Sequence, residues 1–177
     1  MLLLTGCNFF TLREAEEPDK PPLWNSFYTT WQSALQNLEY SYEDARNVVK
    51  YNELFLANYR YSFSQQDIND YNITGTWTRD NERDMLYNLH NWADSVKLEL
   101  SIIPDQDDVI QANLVKLYRS YTLTITKGDE IRNYAGRLEI QMRTENGFWR
   151  IYSWYDYRIT GTPGLPTWGK LKYDFSV

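Results

Sequence analysis

The dipeptide Asn146-Gly147 constrains this chain more than any other feature. It stands between two runs that alternate apolar and polar residues. Both central positions of a type I′ turn need positive φ, and Asn-Gly supplies them. A two-residue turn there pairs Thr144 with Trp149, Met142 with Ile151, Ile140 with Ser153 and Leu138 with Tyr155 on one face. The other face pairs Arg143 with Arg150, Gln141 with Tyr152, Glu139 with Trp154 and Arg137 with Asp156. The first face is nearly all apolar and the second polar or amphipathic, and a one-residue slip would mix them. A turn at Gly128-Asp129 extends the apolar face to Leu117, Arg119, Tyr121, Leu123 and Ile125 and sets Lys127 opposite Glu130. Two independent turns with one consistent face predict an antiparallel meander over roughly 112–126, 131–144 and 148–159.

Helices and further strands precede it. Phe27, Trp31, Ala34, Leu35, Leu38 and Tyr42 recur at helical spacing, and Val48, Tyr51, Leu54 and Phe55 form a second set. The break falls at Ser41, with Asp44 completing a capping box, or nearer Asn47. "NYRYSF" alternates like a strand, and "DINDYNITG" reads as a loop. "RDNERDMLYNLHNW" reads as a third helix, with Met85, Leu86 and Leu89 inward and Asp80 or Asn81 near its cap. "SVKLELSII" sets Val96, Leu98, Leu100 and Ile102 on one face of a strand. The order α-α-β-α-β-β-β-β predicts an α+β domain, a curved antiparallel sheet with helices on one face. Its core draws on 15 Tyr and 7 Trp.

A net charge of −6 argues against nucleic acid, which requires clustered positive charge. After the first residues, no apolar run is long enough to cross a membrane as a helix. Those first residues, MLLLTGCNFF, hold the only cysteine. Leu4-Thr5-Gly6-Cys7 resembles a bacterial lipobox: an apolar residue, two small residues, then the thiol that accepts a diacylglycerol. Only six residues precede Cys7 and none is basic, so 1–6 reads as the stump of a longer export signal. Residues 7–22, with "REAEEPDKPP", read as an extended tether, and 23–177 as one domain. Acylated Cys7 would hold the chain to a membrane of the bacterial cell envelope, at the outer-membrane or periplasmic side.

The element order and the "NGFWRIYSWYDY" hairpin resemble the NTF2-like superfamily, the cystatin-like α+β cone. "VVKYNELFLANYRYSF", "TWTRDNE", "GFWRI" and the terminal "TWGKLK" are similar to bacterial NTF2-like lipoproteins. The resemblance covers residues 24–172 and implies a sheet and about three N-terminal-half helices around a deep pocket. Isomerases, dehydratases, cyclases and non-catalytic binding or dimerisation modules all share that fold, so it does not give function.

Enzymes of this kind that move a proton beside a carbonyl need a carboxylate or His in the pocket. The face read as inward, down to Ser153, Tyr155 and Tyr157, contains no acid. Asp156 falls on the outer face, in an ion pair with Arg137. His90 is the only histidine and reads as a surface or helix-end residue. "DQDD" at 105–108 lacks the Gly and distant Glu of a calcium loop. No catalytic residue, metal site or cofactor is therefore assigned. Arg119 interrupts the apolar face: it either holds an anionic ligand group beside Tyr121, Trp149 and Tyr155, or is turned outward by a bulge. Tyr118, Tyr152 and Trp154 on the outer face read as a homodimer or partner interface, or as rings covering neighbouring stems. The expected function is a lipid-anchored, non-catalytic module that binds a small apolar or anionic ligand or a protein. The alternatives are a pocket enzyme of isomerase or dehydratase type and a purely structural dimerisation domain.

Overall fold

In the computed structural model, residues 20–73, 76–159 and 164–176 are described. The expectations for Cys7, the signal stump and most of the tether lie outside them. The meander predicted from the two turns is present as β4 (Leu114–Lys127), β5 (Glu130–Glu145) and β6 (Phe148–Tyr157). Lys127 faces Glu130, and Asn146 and Gly147 both adopt positive φ. β2 (Ser95–Ile102) pairs antiparallel with β4, and the short β3 (Val109–Ile110) also pairs with β4. β1 (Phe55–Ser62) lies parallel to β6, giving the order β1-β6-β5-β4-β2. A parallel edge on an antiparallel meander makes the sheet mixed, and it curls around its inner face.

The helices fill that inner face. α1 (Trp31–Glu43) starts at Thr30, whose hydroxyl accepts from the Ser33 amide, and it buries Ala34, Leu38 and Tyr42. It ends at Asp44, between the two breaks considered above; a 3-10 turn over Ala45–Asn47 then leads into α2 (Val48–Tyr51). α4 (Arg79–Trp92) matches the third predicted helix and buries Met85, Leu86 and Leu89. Asn81 Oδ1 accepts from both the backbone and the hydroxyl of Thr78, which fixes its first turn.

Three elements depart from expectation. "DINDYNITG" is not wholly loop: α3 (Gln65–Tyr71) runs through it, capped by Ser64, whose hydroxyl accepts from the Asp67 amide. The C-terminal stretch forms α5 (Trp168–Asp174), capped by Thr167 and packed into the concave side of the sheet. The decisive difference is in β6. The predicted register holds from the turn through Met142↔Ile151, but the next pair is Gln141↔Ser153. Tyr152 is the extra residue of a β-bulge, and every side chain beyond it changes face. Trp154 and Asp156 therefore point inward, 0% and 2% exposed, while Tyr155 is half-buried and Tyr157 exposed. Arg137 faces Tyr157, not Asp156.

Candidate functional site

Folding brings three carboxylates into the interior, one each from α4, β6 and α3. Glu82 lies one turn into α4, on its core side, and is fully buried. Its Oε1 accepts from the Tyr59 hydroxyl at 2.7 Å and the Trp77 indole N–H at 2.9 Å. Its Oε2 accepts from the Tyr51 hydroxyl at 2.9 Å and from the Lys172 ammonium. Lys172 comes from α5 and is itself fully buried. Burial pulls the Lys172 ammonium below its ordinary pKa, against the opposing pull of Glu82 and, more weakly, Asp156.

Asp156 lies near the end of β6, 2% exposed, and lines a hollow beside Tyr155. Oδ1 accepts from the Tyr121 hydroxyl at 2.7 Å; Oδ2 accepts from the Tyr61 hydroxyl at 2.9 Å and the Gly169 amide at 2.7 Å. Burial raises its pKa, and the donors from Tyr121, Gly169 and Tyr61 only partly offset this. Tyr121 reaches Asp156 because Gly136 opposite it has no side chain: a Cβ there would stand 2.3 Å from the Tyr121 hydroxyl oxygen. The same hydroxyl accepts from the Trp168 amide at 2.7 Å.

Asp67 completes the set. Its Oδ2 accepts from the Ser64 and Thr167 hydroxyls at 2.6 and 2.5 Å, and its Oδ1 accepts from Arg158 at 2.9 Å. Gly169 passes between the acids; a methyl there would lie 3.2 Å from Asp156 and 3.3 Å from Asp67.

α5 is thus a wedge driven into the cone. Trp168 stacks edge-on against Trp154, with ring centroids 4.5 Å apart, and donates its indole N–H to the Tyr42 hydroxyl at 2.8 Å. Trp154 and Trp168 are the largest fully buried side chains among the described residues. The volume that an open cone would offer a ligand is occupied by the chain's own rings.

The residues assigned from sequence are dispersed. Arg119 faces inward as its parity required, only 6% exposed, but Asp108 holds it with two hydrogen bonds of 2.7 Å. Burial pushes the Asp108 carboxyl up, yet the Arg119 hydrogen bonds, the Tyr118 amide and the Arg119 charge together hold it below the usual range. The "DQDD" loop is therefore an anchor for Arg119. Tyr121 faces the core, while Trp149 is buried at the turn end of β6 and donates its backbone N–H to the Tyr28 carbonyl. Tyr155, placed inward by parity, lies on the outer face and lines an open hollow of about 370 Å³ with Phe63, Tyr157 and Arg158. The bulge removes Trp154 from the proposed interface and puts it in the core. Tyr118 and Tyr152 remain on the outer face, half-buried, with Tyr118 lining a second hollow of about 360 Å³ beside Arg137 and Tyr157. His90 is half-buried and donates from Nε2 to the Ser41 carbonyl at 2.9 Å; burial lowers its pKa.

Glu82, Asp67 and Lys172 were not singled out from sequence. Glu82 carries the one available signal, being an acid on the same helical stripe as Met85, Leu86 and Leu89. Among the described residues no cluster of His, Cys, Asp and Glu could hold a metal ion.

This geometry is that of a known fold. A conserved protein of Planctomyces limnophilus superposes with a TM-score of 0.58 at 9% identity, over 70% of this chain and 89% of that one. An NTF2-like superfamily protein of Salmonella enterica gives 0.53 at 13% identity, over 74% and 90%. A candidate scytalone dehydratase of Novosphingobium aromaticivorans gives 0.57 at 11%, over 75% and 92%. The chain has the NTF2-like fold, the α+β cone that its sequence resembles. No family model matches it, and no curated protein is significantly similar to it in sequence. Identities this low carry the fold and nothing of the chemistry.

Proposed function

We propose that the chain is a lipid-anchored module of a bacterial cell envelope, held through Cys7, that binds a small ligand or a protein without catalysis. One observation carries the non-catalytic reading. Every oxygen of Glu82 and Asp156 already accepts hydrogen bonds from the chain itself, and both acids are buried. A general acid or base must come within hydrogen-bond reach of its substrate, and here the chain's own donors hold those positions. The rival reading, a pocket enzyme of isomerase or dehydratase type, draws on Asp156 between two tyrosine hydroxyls, beside the open hollow that it lines with Tyr155 and Arg158.

The protein-binding alternative uses the outer sheet face. Tyr118, Tyr152 and Tyr155 lie there among Lys116, Arg137 and Glu139, a mixture suited to a homodimer or partner contact. Sedimentation velocity across a concentration series tests it. Association weakened by Tyr155→Ala supports the contact; unchanged association refutes it. Radiolabelled palmitate incorporated by the wild type and lost in Cys7→Ser supports the anchor, and label retained in Cys7→Ser overturns it.

A further inference from the structure

Lys172 is housed in an unusual way. A buried ammonium ordinarily finds oxygen acceptors for its three N–H groups. Among the described residues Lys172 makes one hydrogen bond, to Glu82. Aromatic faces surround the rest: Trp154 at 4.5 Å and Tyr61 at 4.6 Å to the ring centroids, with Trp168 at 5.8 Å and Trp77 at 5.9 Å. Three of these rings, Tyr61, Trp77 and Trp154, belong to the sheet and the segment before α4; only Trp168 travels with α5. Trp154 also carries a buried indole N–H with no acceptor among the described residues. One carboxylate below and three rings around form the constellation that recognises organic ammonium ions, where carbon substituents meet the rings and one N–H or the charge alone meets the acid.

We propose that this cage is a binding site for alkylammonium cations, and that Lys172 is its tethered occupant. The inference rests on the binding-module reading and names the ligand class that such a module would take. A single side chain, a primary amine, fills the site when no ligand is present, and a free ligand enters by displacing it. The tether gives Lys172 an effective concentration in the millimolar range or above, so the wild type holds the free cation less tightly than a chain lacking the amine. Carboxylate and rings divide the recognition: the acid selects for charge, the rings for alkyl substitution.

The test is chemical rescue in the full chain. Lys172→Ala removes three methylenes and the ammonium, the outline of n-propylammonium. Its melting temperature is measured against n-propylammonium chloride, trimethylammonium chloride, sodium chloride and n-propanol. The expected result is a saturable rise of several degrees with both ammonium salts and none with sodium chloride or propanol. A saturable response with a midpoint at least tenfold higher is expected in the wild type, from the tethered competitor; no response there at all overturns the displacement of Lys172 by a free ligand. Equal midpoints in the two proteins overturn the competition. Rescue by propanol as effective as rescue by the amine reduces the site to a mere cavity and overturns the proposal. Glu82→Gln combined with Lys172→Ala is expected to lose the response; a retained response overturns the role of the acid. If Lys172→Ala folds only when refolded with n-propylammonium, the proposal stands; if neither amine restores it, the proposal falls. None of these outcomes bears on palmitate labelling or on sheet-face association, so the cage and the broader reading fail separately.

Discussion

The inward position of Asp156 gives the sharpest test of the structure. Asp156→Ala orphans two tyrosine hydroxyls and the Gly169 amide. Each buried donor left without an acceptor costs about 1–3 kcal/mol. Tyr121 still accepts from the Trp168 amide, and removing a carboxylate from the interior recovers part of its desolvation. The net expectation is about 4 kcal/mol, which for a domain of this size is a melting-temperature loss of about 8–16 °C. Asp156→Asn is the informative partner. Its amide keeps the shape and one acceptor, and the fold already disfavours the ionised form. It should cost about 1 kcal/mol, roughly one hydrogen bond. Acid adds a third arm. Because the folded-state pKa lies above 3.8, folded protein keeps a proton that the unfolded chain has released in the window above 3.8. The Asp156 contribution is therefore full below 3.8 and is lost as pH rises through the raised value; Asp156→Asn should flatten that slope. Circular dichroism melts and urea titrations across acid pH read all three. Had Asp156 pointed outward beside Arg137, each variant would change stability by only a few tenths of a kcal/mol. Equal, small effects of Ala and Asn would refute the bulge and everything built on it.

Further outcomes follow from neighbouring contacts. Gly136→Ala places a methyl against the Tyr121 ring and the Tyr157 carbonyl, and overpacking plus loss of the Tyr121 hydrogen bonds should cost about 3 kcal/mol; a melt shifted by less than about 2 °C would contradict so close an approach. Asp108→Ala leaves Arg119 without its paired acceptor and should cost about 2 kcal/mol by urea denaturation; no loss would return Arg119 to the ligand-binding residues. Burial holds the His90 pKa below 6.5, so its contribution to stability is full above 6.5 and is lost as pH falls through the lowered value. An NMR titration of the imidazole should give a midpoint under 6.5, and a midpoint at or above it would show that burial does not govern the ring in the folded chain.

The meander was readable because turn chemistry and parity are local. Asn146-Gly147 sets the register at the turn, and the three pairs next to it are as expected. Parity fails further along because "YSWYDY" offers an aromatic residue to either face: Tyr152 and Trp154 against Tyr155 and Tyr157. A strand amphipathic on both sides cannot report a bulge through hydrophobic pattern, so the inward acid was invisible. α5 was missed for a related reason. Its stripe is Trp168, Leu171 and a lysine, and a lysine is read as solvent-facing unless a partner is known. The partner, Glu82, lies far away in sequence. Arg119 was the reverse case: parity placed its side chain correctly, and only the fold could bring Asp108 to it.

The wedge also orders events in time. Thr167 caps onto Asp67, Trp168 onto Tyr42 and Lys172 onto Glu82, so residues near the end of the chain meet partners from its first half. β1 likewise has, among the described residues, only the single bridge from Tyr61 to Trp77 until β6 exists. A nascent chain that still lacks residues 164–176 holds acids with missing donors and a core without the Trp168 ring. Closure is therefore deferred until α5 has been made, as non-local contacts generally require. By the same logic, a chain truncated before residue 164 loses α5 and cannot close, and quality-control proteases would recognise it by its open core.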